Sequence, residues 1–354
     1  MREWEKNIRR IVPYVPGEQP NKENMVKLNT NENPYPPAPG VGRVLQGMDI
    51  DILRLYPDPA IKQLVEELAR FYRLDSNMVF VGVGSDDVLA MAFMTFFNSG
   101  KAILFPDITY SFYPVWCDLF HILFETQALD EKFRIRKEDY YKENGGVVIA
   151  NPNAPTGFYE NLRDIDDIIS NNQNSIVIID EAYVDFAGRS AVELLSKHEN
   201  LLVVQTFSKS RSMAGMRIGY VMGNPMLIKA LNDIKYSFNS YTMNTTAIIA
   251  GVEAVKDIAY FRKGIEKIIA TRTRAEKVFR SLGFDFPESG ANFLFVTHER
   301  IPARELFAVL RENNIYVRYF NLPRINNHLR ITIGTEEEMD RLFAFLRSYI
   351  KEYG

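Results

Sequence analysis

The chain is 354 residues long, 46% hydrophobic and 25% charged, with a formal net charge of -3, enough for one large domain and a smaller one around cores that need no cross-links. That charge balance, with no Lys- or Arg-rich block, argues against a nucleic-acid partner, and a lone cysteine, Cys117, excludes an internal disulfide framework and suits a reducing compartment. The four histidines stand at no metal-ligand spacing, the N-terminus lacks an apolar targeting core and no apolar run approaches the roughly 18 residues of a membrane span, so the expectation is a cytoplasmic protein that binds neither metal nor membrane.

Residues 1–40 carry "PYVPGEQP" and "NTNENPYPPAPG". Proline removes amide donors and biases the preceding residue away from helix, so this stretch is predicted to be an extended arm. The period then changes. In "PAIKQLVEELARFY", Ile61, Leu64, Val65, Leu68 and Phe71 fall on one helical stripe behind a proline start. Seven short apolar runs follow, interleaved with helical patterns: "MVFVGVG" (78–84), "KAILF" (101–105), "HILFE" (121–125), "VVIAN" (147–151), "SIVIID" (175–180), "LLVVQT" (201–206) and "RIGYVMG" (217–223). Continuous rather than alternating apolar strands mean burial on both faces, and strands alternating with helices mean an α/β fold with a mostly parallel sheet of seven strands. After about residue 245 the texture shifts to a long charged helical stretch, "ANFLFVT", the helix "PARELFAVLRENN", the strands "IYVRYF" and "HLRITIG", and a terminal helix. The texture thus predicts an extended arm (1–40), a large domain (41–245) and a small α+β domain (246–354).

Ligands of open α/β sheets collect at the carboxyl ends of strands, and five of these ends carry chemistry. "GVGSDD" places Gly82 and Gly84 before a helix start whose amides suit a phosphate, although as a dinucleotide fingerprint it lacks the third glycine. "PDITYSFY" offers Tyr110 to stack on a planar ring. "NPNAPTG" sets the amide of Asn151 where its strand stops, and "IIDEAYVDF" sets Asp180 after an apolar run, with the Tyr183 phenol three residues on. A carboxylate so placed must be paired or hydrogen-bonded, and a structural ion pair would satisfy it equally. "QTFSKSRSMAGMRIGY" supplies Thr206, Ser208 and Arg217 as a phosphate cup around Lys209. Together these are the needs of pyridoxal phosphate: a lysine to condense with its aldehyde, a carboxylate to keep its ring nitrogen protonated, a phenol and an amide for its ring oxygen O3′, and a cup for its phosphate. Cationic and apolar neighbours would lower the lysine pKa and make it a base.

In order along the chain, "PYVPG", "LNTNENPYPP", "RLYPDP", "VGVGSDDV", "TYSFY", "NPNAPTG", "DEAYVDF", "TFSKSRSMAGMRIGY", "ANFLFV" and "LRITIGT" resemble the fold-type I pyridoxal phosphate aminotransferases, the aspartate aminotransferase-like fold, and within them the histidinol-phosphate aminotransferases. The resemblance implies Lys209 as the cofactor-bonded lysine and proton shuttle, Asp180 as the ring-nitrogen partner, Asn151 and Tyr183 at O3′, and Tyr110 over the ring. It implies Ser85, Asp86, Thr206, Ser208 and Arg217 at the phosphate, joined by Tyr56 from the other subunit of a homodimer. Toward the substrate it implies Tyr14, Asn151, Arg318 and Arg330. The implied reaction transfers the amino group of glutamate to imidazole-acetol phosphate, giving histidinol phosphate and 2-oxoglutarate. A threonine-phosphate decarboxylase, an aromatic aminotransferase and a non-catalytic sensor domain share parts of the pattern. Two departures stand out: Ser210, Arg211 and Ser212 follow the lysine where small or aromatic residues are usual, and Glu18 stands where a lysine often follows "PG".

Overall fold

Each of the seven apolar runs overlaps a strand of one sheet, although "HILFE" contributes only Phe124 and Glu125 to its strand. The structure is a computed structural model and describes residues 2–353. After a two-residue arm strand β1 (Val26–Lys27), the sheet strands are β2 (Val79–Gly82), β3 (Ile103–Pro106), β4 (Phe124–Gln127), β5 (Gly146–Ala150), β6 (Val177–Asp180), β7 (Leu201–Thr206) and β8 (Gly219–Gly223). Their order is β2-β8-β7-β6-β5-β3-β4. Strands β7, β6, β5, β3 and β4 run parallel, whereas β8 is antiparallel to both β2 and β7. The segment between β7 and β8 holds only a 3-10 turn, Ala214–Met216. A parallel return needs a helical crossover, which this segment does not contain.

Both faces of the sheet are buried by strict alternation of side chains. Val79, Val81, Val147, Ile149, Val177, Ile179 and Val203 enter one apolar core, while Phe80, Ile103, Phe105, Val148, Ile178 and Val204 enter another on the opposite face. Strand β4 departs from the expectation of continuous burial: Phe124, Glu125 and Thr126 are exposed at the end of the sheet where β4 pairs with β3 alone, whereas β2 at the other end is buried throughout. The predicted helix begins at Lys62 rather than at the proline.

In the C-terminal part, β9 (Phe284–Asp285), β10 (Phe293–His298), β12 (Arg318–Tyr319) and β13 (Leu329–Thr332) form an antiparallel sheet in the order β12-β13-β10-β9. Strand β11 (Ile315–Tyr316) pairs in parallel with β1, Val26 opposite Ile315, which stitches the arm to this unit. Its core joins Val26 and Leu28 of the arm to Phe279, Leu294, Leu306, Ile331 and Leu342. The helix Thr245–Lys256 instead packs Ala247, Ile248, Ala250 and Val255 into the core of the large sheet, although the composition changes where that helix starts. Among the described residues no helix is long and apolar enough to cross a membrane, and no group of three or more His, Cys, Asp and Glu is placed to hold a metal.

Candidate active site

A cavity of about 470 Å³ opens where β6 and β7 end, and the arm and β12 and β13 close its far side. Twelve of the fourteen residues singled out above line it; Asn151 and Tyr56 do not.

Asp180 is the last residue of β6 and is 5% exposed. Its Oδ2 accepts a hydrogen bond from the Tyr113 hydroxyl at 2.8 Å, and its Oδ1 accepts from the Ala182 N–H at 3.3 Å. Among the described residues no basic side chain forms an ion pair with it, so a structural ion pair does not account for it. Burial pushes its pKa up to about 6, against the pull of the two donors and with a further push from Asp86. A buried carboxylate carrying that penalty is suited to a cation arriving from the cavity.

Lys209 aims its Nζ into the same cavity, where it donates to the Thr30 carbonyl at 3.0 Å. Its pKa is drawn down to about 8, first by burial and then by Arg330 and Arg217, while Glu32 and Asp86 oppose the shift. A substantial neutral fraction near physiological pH is what a base or nucleophile needs.

Around the lysine, Thr206 Oγ1 donates to Ser208 Oγ at 3.0 Å and Arg217 Nη1 reaches Ser208 Oγ at 3.5 Å. Gly84, at φ +89, leads into the helix Ser85–Phe96, whose first-turn amides have no intrahelical acceptor. The Asp86 carboxylate is not suited to an anion: it accepts from the Tyr110 hydroxyl at 2.7 Å and pairs with Arg217 Nη2 at 3.4 Å, so any affinity for an anion at this helix start would come from the backbone amides. Tyr110 stands edge-on to Tyr113, with centroids 5.7 Å apart at 85°. The arm residue Tyr14 stacks on Phe112 at 4.2 Å.

Asn151 is fully buried behind Ala150 and Pro152, which do line the cavity. Its Nδ2 donates to the Glu160 carbonyl at 3.0 Å and its Oδ1 accepts from the Glu160 N–H at 2.8 Å. One Nδ2 proton stays uncommitted, since the amide carries two. Tyr56 is 83% exposed on the outer surface, tilted against Tyr241 at 4.7 Å, and takes no part in the cavity of its own chain.

Arg318 and Arg330 are directly opposite on β12 and β13, so both guanidinium groups leave the sheet on the same face. Arg330 Nη2 donates to the Asn29 carbonyl at 3.0 Å, while its buried Nε has no partner. Burial, with Arg318 beside it, holds its pKa below the ordinary value. Arg318 reaches the arm carbonyls of Pro16 and Val15 at 3.4 and 3.3 Å. Among the described residues no carboxylate pairs with either. Two facing cations without a counterion repel, and an anion between them removes the cost.

Reasoning from the sequence missed the residues that hold this machinery from the arm: Asn31, whose Nδ2 donates to the Tyr183 hydroxyl at 2.9 Å, and Asn33, whose Nδ2 donates to the Lys209 carbonyl at 3.0 Å. Tyr113 was missed as the donor to Asp180. Asparagines packed into a proline-rich arm were the available signal, since polar side chains there need partners. The two sequence departures lie outside the cavity. Arg211 is buried against the rings of Phe71, Phe207 and Phe261 and donates to the Ala254 carbonyl at 2.8 Å, and Glu18 pairs with Arg311 at 3.0 Å.

A sheet of this topology, with a low-pKa lysine and a buried carboxylate without a cation in one cavity, is that of an aminotransferase-type site, and the chain belongs to the aminotransferases of class I and II, whose family model matches residues 23–346. It is 49% identical over 348 residues to the histidinol-phosphate aminotransferase of Lactococcus lactis subsp. cremoris, covering 98% of each chain. It is 50% identical over 342 residues to that of Brachyspira hyodysenteriae, covering 96% of this chain and 97% of the relative. The solved histidinol-phosphate aminotransferase of Sinorhizobium meliloti in complex with pyridoxal-5′-phosphate shares the fold at a TM-score of 0.84 and 23% identity, over 93% of this chain and 92% of that one.

Proposed function

We propose that the protein uses pyridoxal 5′-phosphate to transfer the amino group of L-glutamate to imidazole-acetol phosphate, giving L-histidinol phosphate and 2-oxoglutarate in histidine biosynthesis. The observation that carries the substrate choice is the facing pair Arg318 and Arg330, open to the same cavity as Lys209. The names of the curated relatives at 49% and 50% identity support the same choice.

The residues fit the cofactor. Asp180 lacks a cation that the ring nitrogen would provide, and the helix start at Ser85 with Thr206, Ser208 and Arg217 suits the phosphate. Tyr110 would cover one ring face, and Tyr183, with the spare Nδ2 proton of Asn151, would hold the ring oxygen. When bound, the cofactor supplies an electrophilic carbon for amines and a ring that accepts the electrons left behind when a proton departs from the carbon bearing the amine. Lys209 Nζ moves that proton. Arg330 and Arg318 hold the anionic group of each substrate in turn, the phosphate on one and a carboxylate on the other. Tyr14 and the arm close over the cavity and exclude water.

Tyr56 belongs to a homodimer in this reading. Ile50, Leu53, Leu55 and Tyr56 are all more than half exposed, an apolar stretch without cover in the single chain. Sedimentation is expected to give twice the chain mass, and Tyr56→Phe to weaken cofactor binding without dissociating the dimer. A monomer that binds cofactor normally would remove both claims. A single Cys117, free and buried, is compatible with work in the reducing cytoplasm.

The substrate test is spectroscopic. Histidinol phosphate is expected to bleach the visible absorption of the cofactor-loaded protein, and 2-oxoglutarate to restore it, whereas phenylalanine and threonine phosphate leave it unchanged. Bleaching by phenylalanine would make the enzyme an aromatic aminotransferase. Release of carbon dioxide from threonine phosphate would make it a decarboxylase.

A further inference from the structure

Asn31 is 1% exposed and sits at φ 55, a backbone region that Asn tolerates better than most residues. Its backbone N–H donates to Thr332 Oγ1 at 3.0 Å, and its carbonyl accepts from Asn292 Nδ2 at 3.0 Å. Thr332, itself 2% exposed, has therefore filled an acceptor site and must place its one hydroxyl proton. The acceptor is Asn31 Oδ1 at 3.1 Å. That bond sets the direction of the amide: its oxygen faces Thr332 and its nitrogen faces Tyr183, where Nδ2 donates to the phenol oxygen at 2.9 Å. Turning the amide over would strand the threonine proton in a buried place, at the full cost of an unmade hydrogen bond. The Tyr183 oxygen thus accepts from the arm, and its own proton must point elsewhere. Among the described residues no protein group accepts it, and Tyr183 lines the cavity.

We propose that Asn31 is a positioning residue that turns the Tyr183 hydroxyl into an obligate hydrogen-bond donor to an anionic oxygen of the ligand in the cavity; the ligand's identity as pyridoxal phosphate, with O3′ as that oxygen, rests on the reading above. The groups around Tyr183 agree with a donor. Burial holds its proton on, helped by Asp180 and Asp86, and outweighs the opposing pull of Arg330 and Asn31. Lys209 Nζ stands 5.8 Å from the ring centroid. The arm therefore selects the orientation of a hydroxyl in the large domain, through Thr332 of the small one, while burial keeps that hydroxyl protonated.

The test is Asn31→Asp. Aspartate fits the same backbone conformation and keeps the Thr332 bond, but it offers Tyr183 an acceptor in place of a donor. The hydroxyl then turns back toward the arm and the cavity loses its donor. A donor to O3′ stabilises the anionic oxygen and favours loss of a proton from the bound cofactor. The pH midpoint of the visible absorption is therefore expected to rise by about one pH unit in N31D, in the same direction as in Y183F, with no further rise in the double variant. Thr332→Val frees the amide to turn and is expected to give part of the same rise, which keeps the test open should N31D fail to fold. Midpoints at the wild-type value in every one of these variants that loads cofactor, while Y183F shifts, would reduce Asn31 to a structural role and overturn the proposal. A wild-type protein that takes up no colour dependent on Lys209 would instead overturn the cofactor reading, and this inference with it.

Discussion

Lys209→Ala is expected to lower transamination by about 10⁴-fold or more, because it removes both the nucleophile that anchors the cofactor and the base that moves the substrate proton. Turnover within tenfold of wild type would refute the assignment of Lys209. The same site predicts an opposite effect on stability. Holding the lysine pKa near 8 rather than 10.5 costs the cofactor-free fold on the order of 3 kcal/mol. The sign follows from proton counting: between pH 8 and 10.5 the folded chain binds fewer protons than the unfolded one, so stability rises with pH across that window, and below pH 8 the cost is complete. Lys209→Met keeps the length and apolar stem of the side chain and drops the charge. At pH 7 its cofactor-free form is expected to melt above wild type, with the difference shrinking from pH 8 upward. Equal melting temperatures at pH 7 would contradict a desolvated lysine.

Asp180→Asn is expected to cost about 10²–10³-fold in turnover, the size of effect seen when one preorganised charge is lost from a site, because a neutral amide no longer keeps the ring nitrogen protonated. Here too the cofactor-free protein gains. Burial raises the Asp180 pKa from 3.8 to about 6, so between those values the folded state binds more protons than the unfolded one and stability falls as pH rises. Above pH 6 the cost is complete, about 2–3 kcal/mol, and the asparagine variant escapes it while keeping an acceptor for the Tyr113 hydroxyl. D180N without cofactor is expected to melt higher than wild type at pH 8 and equally at pH 4. Added cofactor should reverse the ranking, since ligand that binds only the folded state stabilises the tighter binder more. If cofactor raised the melting temperature of both equally, Asp180 would not be its charge partner.

Both variants express one trade: the lysine and the carboxylate weaken the empty fold and are rewarded only when the cavity is filled, as is usual where a site stores unfavourable electrostatics for chemistry.

The large sheet was legible in the sequence because burial on both faces demands uninterrupted apolar runs, as in Val147–Ala150 and Leu201–Val204, and their short length and β-branched content favour strands over buried helix. The chemistry at the strand ends was legible for a related reason. A carboxylate such as Asp180 behind four apolar residues, or a lysine such as Lys209 between hydroxyls, is costly without a partner, so its presence points to one. Three things depended on the tertiary structure. The reversal of β8 follows from a connection too poor in helix to cross over, and no local pattern in "RIGYVMG" signals it. The outer position of β4 was hidden because "HILFE" is as apolar as its buried neighbours. The partners of the site were hidden most deeply: Tyr183 is oriented by Asn31, and Asn31 by Thr332, across 152 and 301 positions of chain. Propensity and periodicity are short-range properties of the backbone and report which segments fold and where charge is out of place. Hydrogen-bond direction between groups so far apart is set only when the arm, the large sheet and the small sheet close on one another.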